Sequence, residues 1–274
     1  MSGILYIVAT PIGNLEDITL RALRVLKEVD LIAAEDTRNT LKLLNHFEIS
    51  KPLISYHRHS NCDKEEEIIE KLKNGKNIAL VSDAGTPIIS DPGEELVKKA
   101  IEEDIKIIPI PGACAAINAL IVSGIDAKEF SFIGFLPLNK KLRTKKLSEI
   151  KDSLYTTILY EAPHKLKTTL KDLKEILNDR KIAVIREITK IHEEFLYGTI
   201  DEIIEKTENP RGEYVIVIEA AKETIQEDNY LNNLSIEEHY KYYEKIGMSK
   251  KDIIKQIAKD RNINKNEIYM KFIN

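Results

Sequence analysis

The chain has 274 residues, of which 43% are hydrophobic, and its formal net charge is −4. This length and apolar content are enough for two domains with buried cores. No apolar run approaches the ~20 residues of a membrane helix, and the start "MSGILYIVATPIG" lacks the basic segment of a signal peptide. We therefore expect a cytoplasmic protein with no membrane partner. The two cysteines, Cys62 and Cys114, form no C-x-x-C pair, so neither a disulfide framework nor a metal site is expected.

Strand-like and helix-like segments alternate over residues 1–112, which we take as an N-terminal α/β domain. Apolar segments "ILYIVA", "DLIAAE", "PLISY", "NIALVS" and "KIIPIP" are separated by segments of helical period near 18–28, 38–46, 63–73 and 92–103. This alternation predicts a mainly parallel sheet. For the fourth helix, Asp91 and Glu94 predict a capping box, with Pro92 at the first helical position.

A second α/β domain is predicted over residues 113–222. A helix of small residues begins within "PGACAAINALIVSG", and the strand-like segments "EFSFIGF", "TTILYE", "KIAVIRE", "EEFLYG" and "EYVIVIEAA" follow. The last of these segments are closely spaced, which favours antiparallel pairing. We therefore expect a sheet that is partly antiparallel.

Residues 230–274 differ from the rest of the chain in charge and pattern. They carry nine Lys or Arg and six Asp or Glu, a net +3, which leaves −7 for the remainder. The segments "SIEEHYKYYEKIG", "SKKDIIKQIAKD" and "NKNEIYMKF" each begin with a capping residue and predict three short helices. A second basic island, "NKKLRTKK", spans 139–146. A solvated loop is the commoner explanation of a basic run, and a core position that of tyrosines at helical spacing, but two basic islands in one chain are also compatible with a nucleic-acid partner.

Four turns at predicted strand ends carry small residues or proline where backbone can approach a ligand. They are "ATPIGNLEDIT" at 9–19, "SDAGTP" at 82–87, "PGACAA" at 111–116 and "YEAPHK" at 160–165. In open α/β sheets, ligands bind at the carboxyl ends of strands. No G-x-G-x-x-G, G-x-x-x-x-G-K-[ST], H-E-x-x-H or G-x-S-x-G accompanies these turns. The usual dinucleotide, nucleoside triphosphate, zinc-protease and hydrolase interpretations therefore lose support.

Several long segments resemble the tetrapyrrole methylase superfamily of S-adenosylmethionine methyltransferases. The segments "YIVATPIGNLEDITLRALRVLKEVDLIAAEDTR", "VSDAGTPIISDPG" and "IPIPGACAAINAL" are similar to its signature loops in order and spacing. In addition, "EDTRNT", "SYHRHSN", "YEAPHK", "REITKIHEE" and the C-terminal "GMSKKDIIKQIAKDRNINKNEIYMKF" resemble one branch, which methylates a cytidine 2′-hydroxyl in the decoding region of 16S rRNA. The resemblance covers nearly the whole chain.

The resemblance implies two α/β domains with S-adenosylmethionine in the cleft between them (a class III methyltransferase), and a small helical module for RNA recognition at 230–274. It also implies a homodimer that acts on 16S rRNA or on the small ribosomal subunit. The residues expected to contact the cofactor are Ile12, Gly13, Asp83, Thr86, Ile89, Cys114, Ala115, Tyr160, Glu161, Glu213 and Tyr214.

Methyl transfer to a hydroxyl requires the ribose oxygen to lie in line with the sulfonium methyl group, and it requires a group that accepts the hydroxyl proton. Asp36 or Glu187 is the expected general base, and Lys190 or Arg186 is expected to lower charge or hold phosphate. Alternatively, Asp36 and Arg38 form a structural pair at a helix start, and "REITK" is an exposed strand edge. The residues expected to contact RNA are Arg38, His57, His59, Asn61, Lys140, Lys141, Arg143, Lys250, Lys251, Lys255 and Lys259.

Two other functions are compatible with parts of this pattern. A methyltransferase of the same fold that acts on a small tetrapyrrole would have the cofactor loops but no need of the lysine-rich tail. A non-catalytic RNA-binding protein could keep the fold without the activity.

Overall fold

The structure, a computed structural model, describes residues 2–57, 62–177, 180–207, 209–221, 231, 234–261 and 263–272. The chain divides into two compact units, Met1–Ala220 and Ala221–Asn274. The first unit contains two five-stranded sheets, and the second contains helices.

The first sheet is entirely parallel, as the alternating pattern predicts. Its strands lie in the order β3-β2-β4-β1-β5. The strands are β1 (Ile4–Val8), β2 (Leu31–Ala34), β3 (Leu53–Ser55), β4 (Ile78–Val81) and β5 (Lys106–Ile110). The helices between them are α1 (Leu20–Glu28), α2 (Thr37–His46), α3 (Cys62–Lys73) and α4 (Glu94–Glu102), and a 3-10 turn spans Leu15–Asp17.

Helices cover both faces of this sheet. Leu26 of α1 and Leu44 of α2 pack on one face together with Ile32, and Ile68 of α3 and Leu96 of α4 pack on the other. Strands that are buried on both faces are continuously apolar, which explains the four buried residues of "IALV" in β4.

The start of α4 differs from the capping box expected at Asp91 and Glu94. The helix begins at Glu94, and its N-cap is Gly93, which has φ 138° and makes no side-chain capping bond. A Cβ on Gly93 would lie 2.7 Å from Ile88 Cγ1 and 2.8 Å from Leu80 Cδ2. The loop therefore packs closely over the core at the point where the helix starts, and Asp91 is displaced from the capping position.

The second sheet is mixed, which confirms the expected antiparallel component. Its order is β6-β7-β10-β8-β9; β6 and β7 are parallel and all other pairs are antiparallel. The strands are β6 (Phe130–Phe135), β7 (Thr156–Glu161), β8 (Ile182–Arg186), β9 (Glu194–Gly198) and β10 (Tyr214–Ile218). The helices are α5 (Ala115–Val122), α6 (Lys140–Asp152), α7 (Pro163–Leu177) and α8 (Ile200–Lys206).

Both faces of the second sheet are also covered. Residues of α6, α7 and α8 pack on one face, with Ile150, Leu170 and Ile203 at their centre. Ala119 and Leu120 of α5 pack on the other. Because β5 ends at Ile110 and α5 packs on the second sheet, the polypeptide passes from one sheet to the other through the "PGAC" turn.

The described residues of the second unit include three capped helices, as predicted. They are α9 (Ile236–Lys245), α10 (Lys250–Asp260) and α11 (Lys265–Lys271). Ser235 forms a capping box with Glu238, and the side chains of Ser249 and Asn264 accept backbone N–H groups at the next two starts. The buried residues that hold the helices together are Ile253, Ile254, Ile257 and Ile268.

The described residues show neither a membrane-spanning helix nor a metal-binding cluster. Within those ranges, no helix is long and apolar enough to span a membrane. The same residues contain no group of three His, Cys, Asp or Glu side chains placed to hold a metal ion.

Candidate active site

Three loops meet at the carboxyl edge of the first sheet because β4, β1 and β5 are adjacent strands. The N–H of Thr10 donates to the carbonyl of Gly85 at 2.9 Å, and the N–H of Gly85 donates back at 3.1 Å. The Thr86 hydroxyl donates to the carbonyl of Ala113 at 3.0 Å. Direct hydrogen bonds thus join the "ATPIG", "SDAGTP" and "PGACAA" loops into one surface.

Gly85 is at the centre of this surface, and this position requires a residue without a side chain. Its φ is 81°, in the left-handed region that glycine tolerates best. A Cβ at this position would lie 3.1 Å from Ile12 Cγ2. The glycine therefore permits both the turn and the close approach of the first loop.

The fourth loop adds an aromatic wall. The phenol oxygen of Tyr160 accepts the N–H of Ala116 at 3.1 Å. The Tyr160 ring contacts Phe132 and Phe135 edge-on, with centroid distances of 4.9 and 5.8 Å. Burial, together with the nearby Cys114, raises the pKa of Tyr160 to about 12, so this phenol is neutral at physiological pH.

Glu161 is a buried carboxylate in the same wall, and its side chain is part of a hydrogen-bonded chain. One carboxylate oxygen accepts the N–H of Ala162 at 2.8 Å, and the other accepts the hydroxyl of Thr169. The Thr169 oxygen accepts in turn from the Arg143 guanidinium at 2.8 Å, and Arg143 Nε donates to Asp172 at 2.7 Å. Glu161 is 4% exposed, so this chain satisfies a charge that water barely reaches.

A second carboxylate site lies after β8. Glu187 Oε1 accepts Lys190 Nζ and the N–H of Glu213, each at 2.9 Å, and Lys190 Nζ also donates to Glu213 Oε2 at 3.1 Å. Burial would raise the pKa of Glu187, but these hydrogen bonds and the charges of Lys190 and Arg186 outweigh it and hold the pKa below its usual value. Burial would lower the pKa of Lys190, but its hydrogen bonds to Glu187 and Glu213 outweigh burial and raise the pKa above its usual value. Both groups are therefore charged at neutral pH.

Two glycines make room for this charged pair. A Cβ on Gly212, where φ is 78°, would overlap the Glu187 carboxyl group, and a Cβ on Gly13 would overlap the alkyl stem of Lys190. Lys190, from the second α/β part, therefore crosses directly over the first loop.

Residues of the four loops, together with Glu187, Lys190 and Glu213, line a cleft of about 560 Å³. This volume is typical of small-molecule sites, which span roughly 300–1,000 Å³. Much of its surface is apolar, from side chains such as Ile12 and Val215. The titratable side chains are mostly acidic, with a single lysine, Lys190. The acidic side chains in the lining are Glu35, Asp83, Asp91, Glu161, Glu187 and Glu213.

Comparisons with known proteins agree with this architecture. The sequence profile of the Tetrapyrrole (Corrin/Porphyrin) Methylases matches residues 4–204. The chain is 51% identical to "Ribosomal RNA small subunit methyltransferase I" of Bacillus subtilis, over 97% of this chain and 93% of that one. It is 50% identical to the protein of the same name from Halalkalibacterium halodurans, with the same coverages. This chain belongs to the ribosomal RNA small subunit methyltransferase I family.

A solved structure supports the fold of this methyltransferase family member. It is uroporphyrin-III C-methyltransferase of Thermus thermophilus complexed with S-adenyl homocysteine. The TM-score is 0.56 at 16% identity, and the match covers 79% of this chain and 97% of that one.

Ten of the eleven residues expected to hold the methyltransferase cofactor line this cleft. They are Ile12, Asp83, Thr86, Ile89, Cys114, Ala115, Tyr160, Glu161, Glu213 and Tyr214. The remaining one, Gly13, adjoins the cleft beneath Lys190. The assignment of these residues to the cofactor stays a prediction.

The expected catalytic residues fall into two groups. Glu187 and Lys190 line the cleft. Arg186 points elsewhere, because its Nε donates to the carbonyl of Arg211 at 2.8 Å and it pairs with Glu194 at 3.4 Å.

The alternative base, Asp36, is the N-cap of α2 and takes part in a structural pair. It accepts hydrogen bonds from the N–H of Arg38 at 2.9 Å and from Arg38 Nη2 at 2.6 Å. The side-chain hydrogen bond from Arg38 is the main cause that lowers the pKa of Asp36 to about 2. Asp36 is also absent from the lining of the cleft, whereas Glu187 is part of it.

Asp83 connects the cleft to α2. Its two carboxylate oxygens accept the N–H of Asp36 and the side-chain amide of Asn39, each at 3.0 Å. The Asp83 carboxylate thus forms hydrogen bonds to the start of α2 and not only within its own turn.

The residues expected to contact RNA are distributed unevenly. Arg38 is 85% exposed although it pairs with Asp36. His57 is exposed, as are Lys140 and Lys141 at the start of α6. His59 and Asn61 lie outside the described residues.

Arg143 differs from that expectation. Its side chain is 17% exposed and bonds to Thr169 and Asp172, so it faces α7. The basic island "NKKLRTKK" therefore contains one arginine that has a structural role.

Three of the four expected lysines of α10 share one face. Lys251, Lys255 and Lys259 are exposed and spaced four residues apart, which places them on successive turns. Lys250 differs, because its Nζ donates to the carbonyl of Phe272 at 3.3 Å.

Three features of the site lay outside the sequence-based expectations. Phe135 lines the cleft, Thr169 supports Glu161, and Gly212 accommodates Glu187. The glycine of "GF" in β6 could have drawn attention to Phe135, and the glycine of "RGE" before β10 is Gly212 itself. Thr169 lies within an ordinary helical pattern and carries no such signal.

Proposed function

We propose that this chain transfers a methyl group from S-adenosylmethionine to a cytidine 2′-hydroxyl in the decoding region of 16S rRNA. The observation that carries the proposal is the identity of about half of all residues, over nearly the full length, with relatives named for methylation of small-subunit rRNA. The cleft, with its mixed acidic and apolar lining, supports the same conclusion.

The donor set of the cleft fits this cofactor. S-adenosylmethionine carries a sulfonium and an ammonium, and the lining has six carboxylates against one lysine. Apolar side chains such as Ile12, Ile89 and Val215 offer the surface that an adenosine group requires. The cofactor supplies an electrophilic methyl group. Asp83, Thr86, Tyr160 and Glu213 would hold it.

Glu187 is the proposed general base. It is ionised at neutral pH because the hydrogen bonds of Lys190 and Glu213 stabilise its negative charge. A carboxylate at this position can orient the ribose O–H and accept its proton as the new C–O bond forms. General-base assistance of this kind contributes roughly 10²–10⁴-fold in rate.

Lys190 is proposed to control the charge of the same site. It holds Glu187 and Glu213 together, which keeps two carboxylates from repelling each other. Its stem covers Gly13, so it also positions the first loop beside the base.

The RNA partner is proposed to bind outside the cleft through cations. Lys140 and Lys141 project from the start of α6, and Lys251, Lys255 and Lys259 form a stripe on α10. Phosphates bind such groups with release of counterions. The proposed location is the cytoplasm, where ribosomes are assembled.

We also propose a homodimer. The exposed apolar residues of α5, Ile117, Ile121 and Val122, provide a candidate contact. Sedimentation equilibrium of the purified protein tests this, since a monomer at micromolar concentration would contradict it.

The function is tested with small ribosomal subunits from a strain that lacks the corresponding gene. Purified protein and radiolabelled S-adenosylmethionine should label 16S rRNA, and nucleoside digestion should release 2′-O-methylcytidine. Labelling of a base, or transfer only to a tetrapyrrole, would contradict the proposal. A protein that binds RNA but neither S-adenosylmethionine nor S-adenosylhomocysteine would indicate the non-catalytic alternative.

A further inference from the structure

Phe135 is a large aromatic side chain exposed to solvent inside a functional cleft. It is the last residue of β6, it lines the cleft, and it is 56% exposed. Exposed apolar side chains are common on protein surfaces, but one that lines a ligand cleft points to a binding role. None of the groups proposed above for proton transfer or for holding the cofactor requires this ring.

The backbone is shaped to place this ring. The pairing of β6 with β7 is irregular between Phe132 and Gly134, and Gly134 has φ 71°. A Cβ on Gly134 would lie 3.0 Å from Ser90 Oγ. A bulge re-aims the side chain that follows it, and here that side chain is Phe135.

The Phe135 ring also packs against aromatic residues whose positions are fixed. It contacts Tyr160 edge-on, Tyr160 contacts Phe132 in the same way, and the Tyr160 hydroxyl is fixed to the N–H of Ala116. A ring packed on one side and open on the other is arranged like the stacking platforms on which proteins bind unpaired bases.

The charge of the cleft restricts which part of an RNA strand can enter. The lining carries six carboxylates and a single lysine, so phosphates are repelled from the interior. Lys140 and Lys141 lie just beyond Phe135 in the chain, at the start of α6, and Leu138 between them and the ring is 80% exposed. The uncharged base and ribose can enter the cleft while the backbone stays near these cations.

We propose that Phe135 stacks on the base of the nucleotide whose ribose enters the cleft, and so selects an unpaired nucleotide for methylation. This rests on the proposed rRNA methyltransferase function and adds a substrate-binding residue to it. Stacking requires an accessible π-face, which a base offers only when it has left the RNA helix.

The test compares Phe135→Ala, Phe135→Leu and Phe135→Trp with the unmodified protein. The substrate is the small ribosomal subunit from the deletion strain, and the measured quantities are kcat/KM for methylation and the affinity for S-adenosylhomocysteine by calorimetry. Phe130→Ala is the matched control, because Phe130 is the first residue of the same strand and is 42% exposed.

We expect Phe135→Ala to lower kcat/KM by roughly 5- to 150-fold, the range for loss of one aromatic–base stack. Phe135→Trp should retain activity, Phe135→Leu should not, and all three should bind S-adenosylhomocysteine as the parent does. Phe130→Ala should match the parent in both measurements.

Four results would overturn the inference. They are parent-like methylation by Phe135→Ala, equal activity of the Leu and Trp variants, a parallel loss of S-adenosylhomocysteine affinity, or a change in sedimentation that reveals a contact with a second copy of the chain. A parent protein that fails to label rRNA would instead refute the proposed function itself.

Discussion

Glu187 has φ 50° and Thr189 has φ 69°, a backbone region that costs non-glycine residues about 1–3 kcal/mol each. The conformation is held by the N–H of Glu187 donating to the carbonyl of Glu213, and by the N–H of Lys190 donating back to Glu187. Strain of this kind persists where the surrounding structure enforces it and is common at functional sites. The turn directs the Glu187 carboxylate and the Lys190 ammonium into one cleft.

Removing the charge of Glu187 tests its role as base. Glu187→Gln is expected to lower the single-turnover rate of methyl transfer by roughly 10²–10⁴-fold, with S-adenosylhomocysteine affinity retained. Asp36→Asn is the comparison, because Asp36 was the other candidate and its carboxylate pairs with Arg38 outside the cleft lining. It should change the rate far less. If the two variants have the opposite ranking, Asp36 is the base.

The close packing at Gly85 gives a second prediction at this scale. Gly85→Ala and Gly124→Ala should each lower the free energy of unfolding by about 1–2 kcal/mol, because both glycines have positive φ. Only Gly85 has Ile12 within 3.1 Å of the added Cβ, whereas nothing described lies within 4 Å at Gly124. Calorimetry should therefore show a loss of S-adenosylhomocysteine affinity of at least about tenfold for Gly85→Ala alone. Equal affinities in the two variants would show that the turn at Gly85 does not contribute to cofactor binding.

At the scale of elements, Arg143 of α6 and Thr169 of α7 support a carboxylate at the end of β7. The Thr169 hydroxyl both accepts from Arg143 and donates to Glu161, so its position is set from two sides. Two helices that lie on one face of the second sheet thereby fix a side chain that lines the cleft.

Thr169→Val breaks this connection while keeping the shape of the side chain. It should lower the free energy of unfolding by ~1–3 kcal/mol, because buried polar groups lose a partner, and it should also weaken S-adenosylhomocysteine binding. Thr156→Val is the matched control: Thr156 is equally buried, and its hydroxyl donates to the carbonyl of Asp126 at 2.6 Å, away from the cleft lining. The control should lose stability but not affinity, and Thr169→Ser should keep both. A parallel loss of affinity in the Thr156 variant would show a general effect of destabilisation.

The elements differ in how far the sequence determines them. The βα alternation of "ILYIVA" and "NIALVS" with helical segments is a local pattern, and the helices at Ser235 and Ser249 carry their own caps, so these were predicted correctly. The start of α4 was not, because the tight packing of Gly93 against Leu80 and Ile88 depends on residues distant in the chain or outside the capping pattern. Arg143 was placed on the surface by its basic neighbours, although its partner Asp172 lies 29 residues away.

Long-range arrangement likewise limits prediction of the site. The four turns could be recognised from their glycines and prolines, and the resemblance supplied residues that converge on one cleft. The choice between Glu187 and Asp36 as the base depends on which of the two lines the cleft, and the spacing of residues in the sequence does not show this.

For the whole molecule, the charge asymmetry of the chain leads to a prediction about RNA affinity. Replacing Lys251, Lys255 and Lys259 together with Gln should reduce the magnitude of the slope of log affinity against log salt by roughly 2–3, since each phosphate contact contributes about 0.7–0.9. Filter binding of 16S rRNA across a salt series measures this slope. Binding of S-adenosylhomocysteine should not change.

The control removes the same charge elsewhere. Lys73, Lys76 and Lys98 pair with Glu103, Asp30 and Glu94 in the first α/β part, so their replacement with Gln should leave the slope nearly unchanged. Equal slopes for the two triple variants would mean that net charge alone, rather than the α10 stripe, determines the affinity for RNA.

The order of the second sheet has a consequence for synthesis of the enzyme. The last strand to be translated, β10, is inserted between β7 and β8, so a nascent chain that ends before Tyr214 presents two open strand edges, and open edges promote aggregation. The first sheet, by contrast, is complete once Ile110 has left the ribosome. Glu213, which holds Glu187 and Lys190, directly precedes β10, so the proposed catalytic pair reaches its final arrangement only when the closing strand is in place. A chain released between Gly198, the last residue of β9, and Tyr214 therefore has one complete sheet and no working cleft.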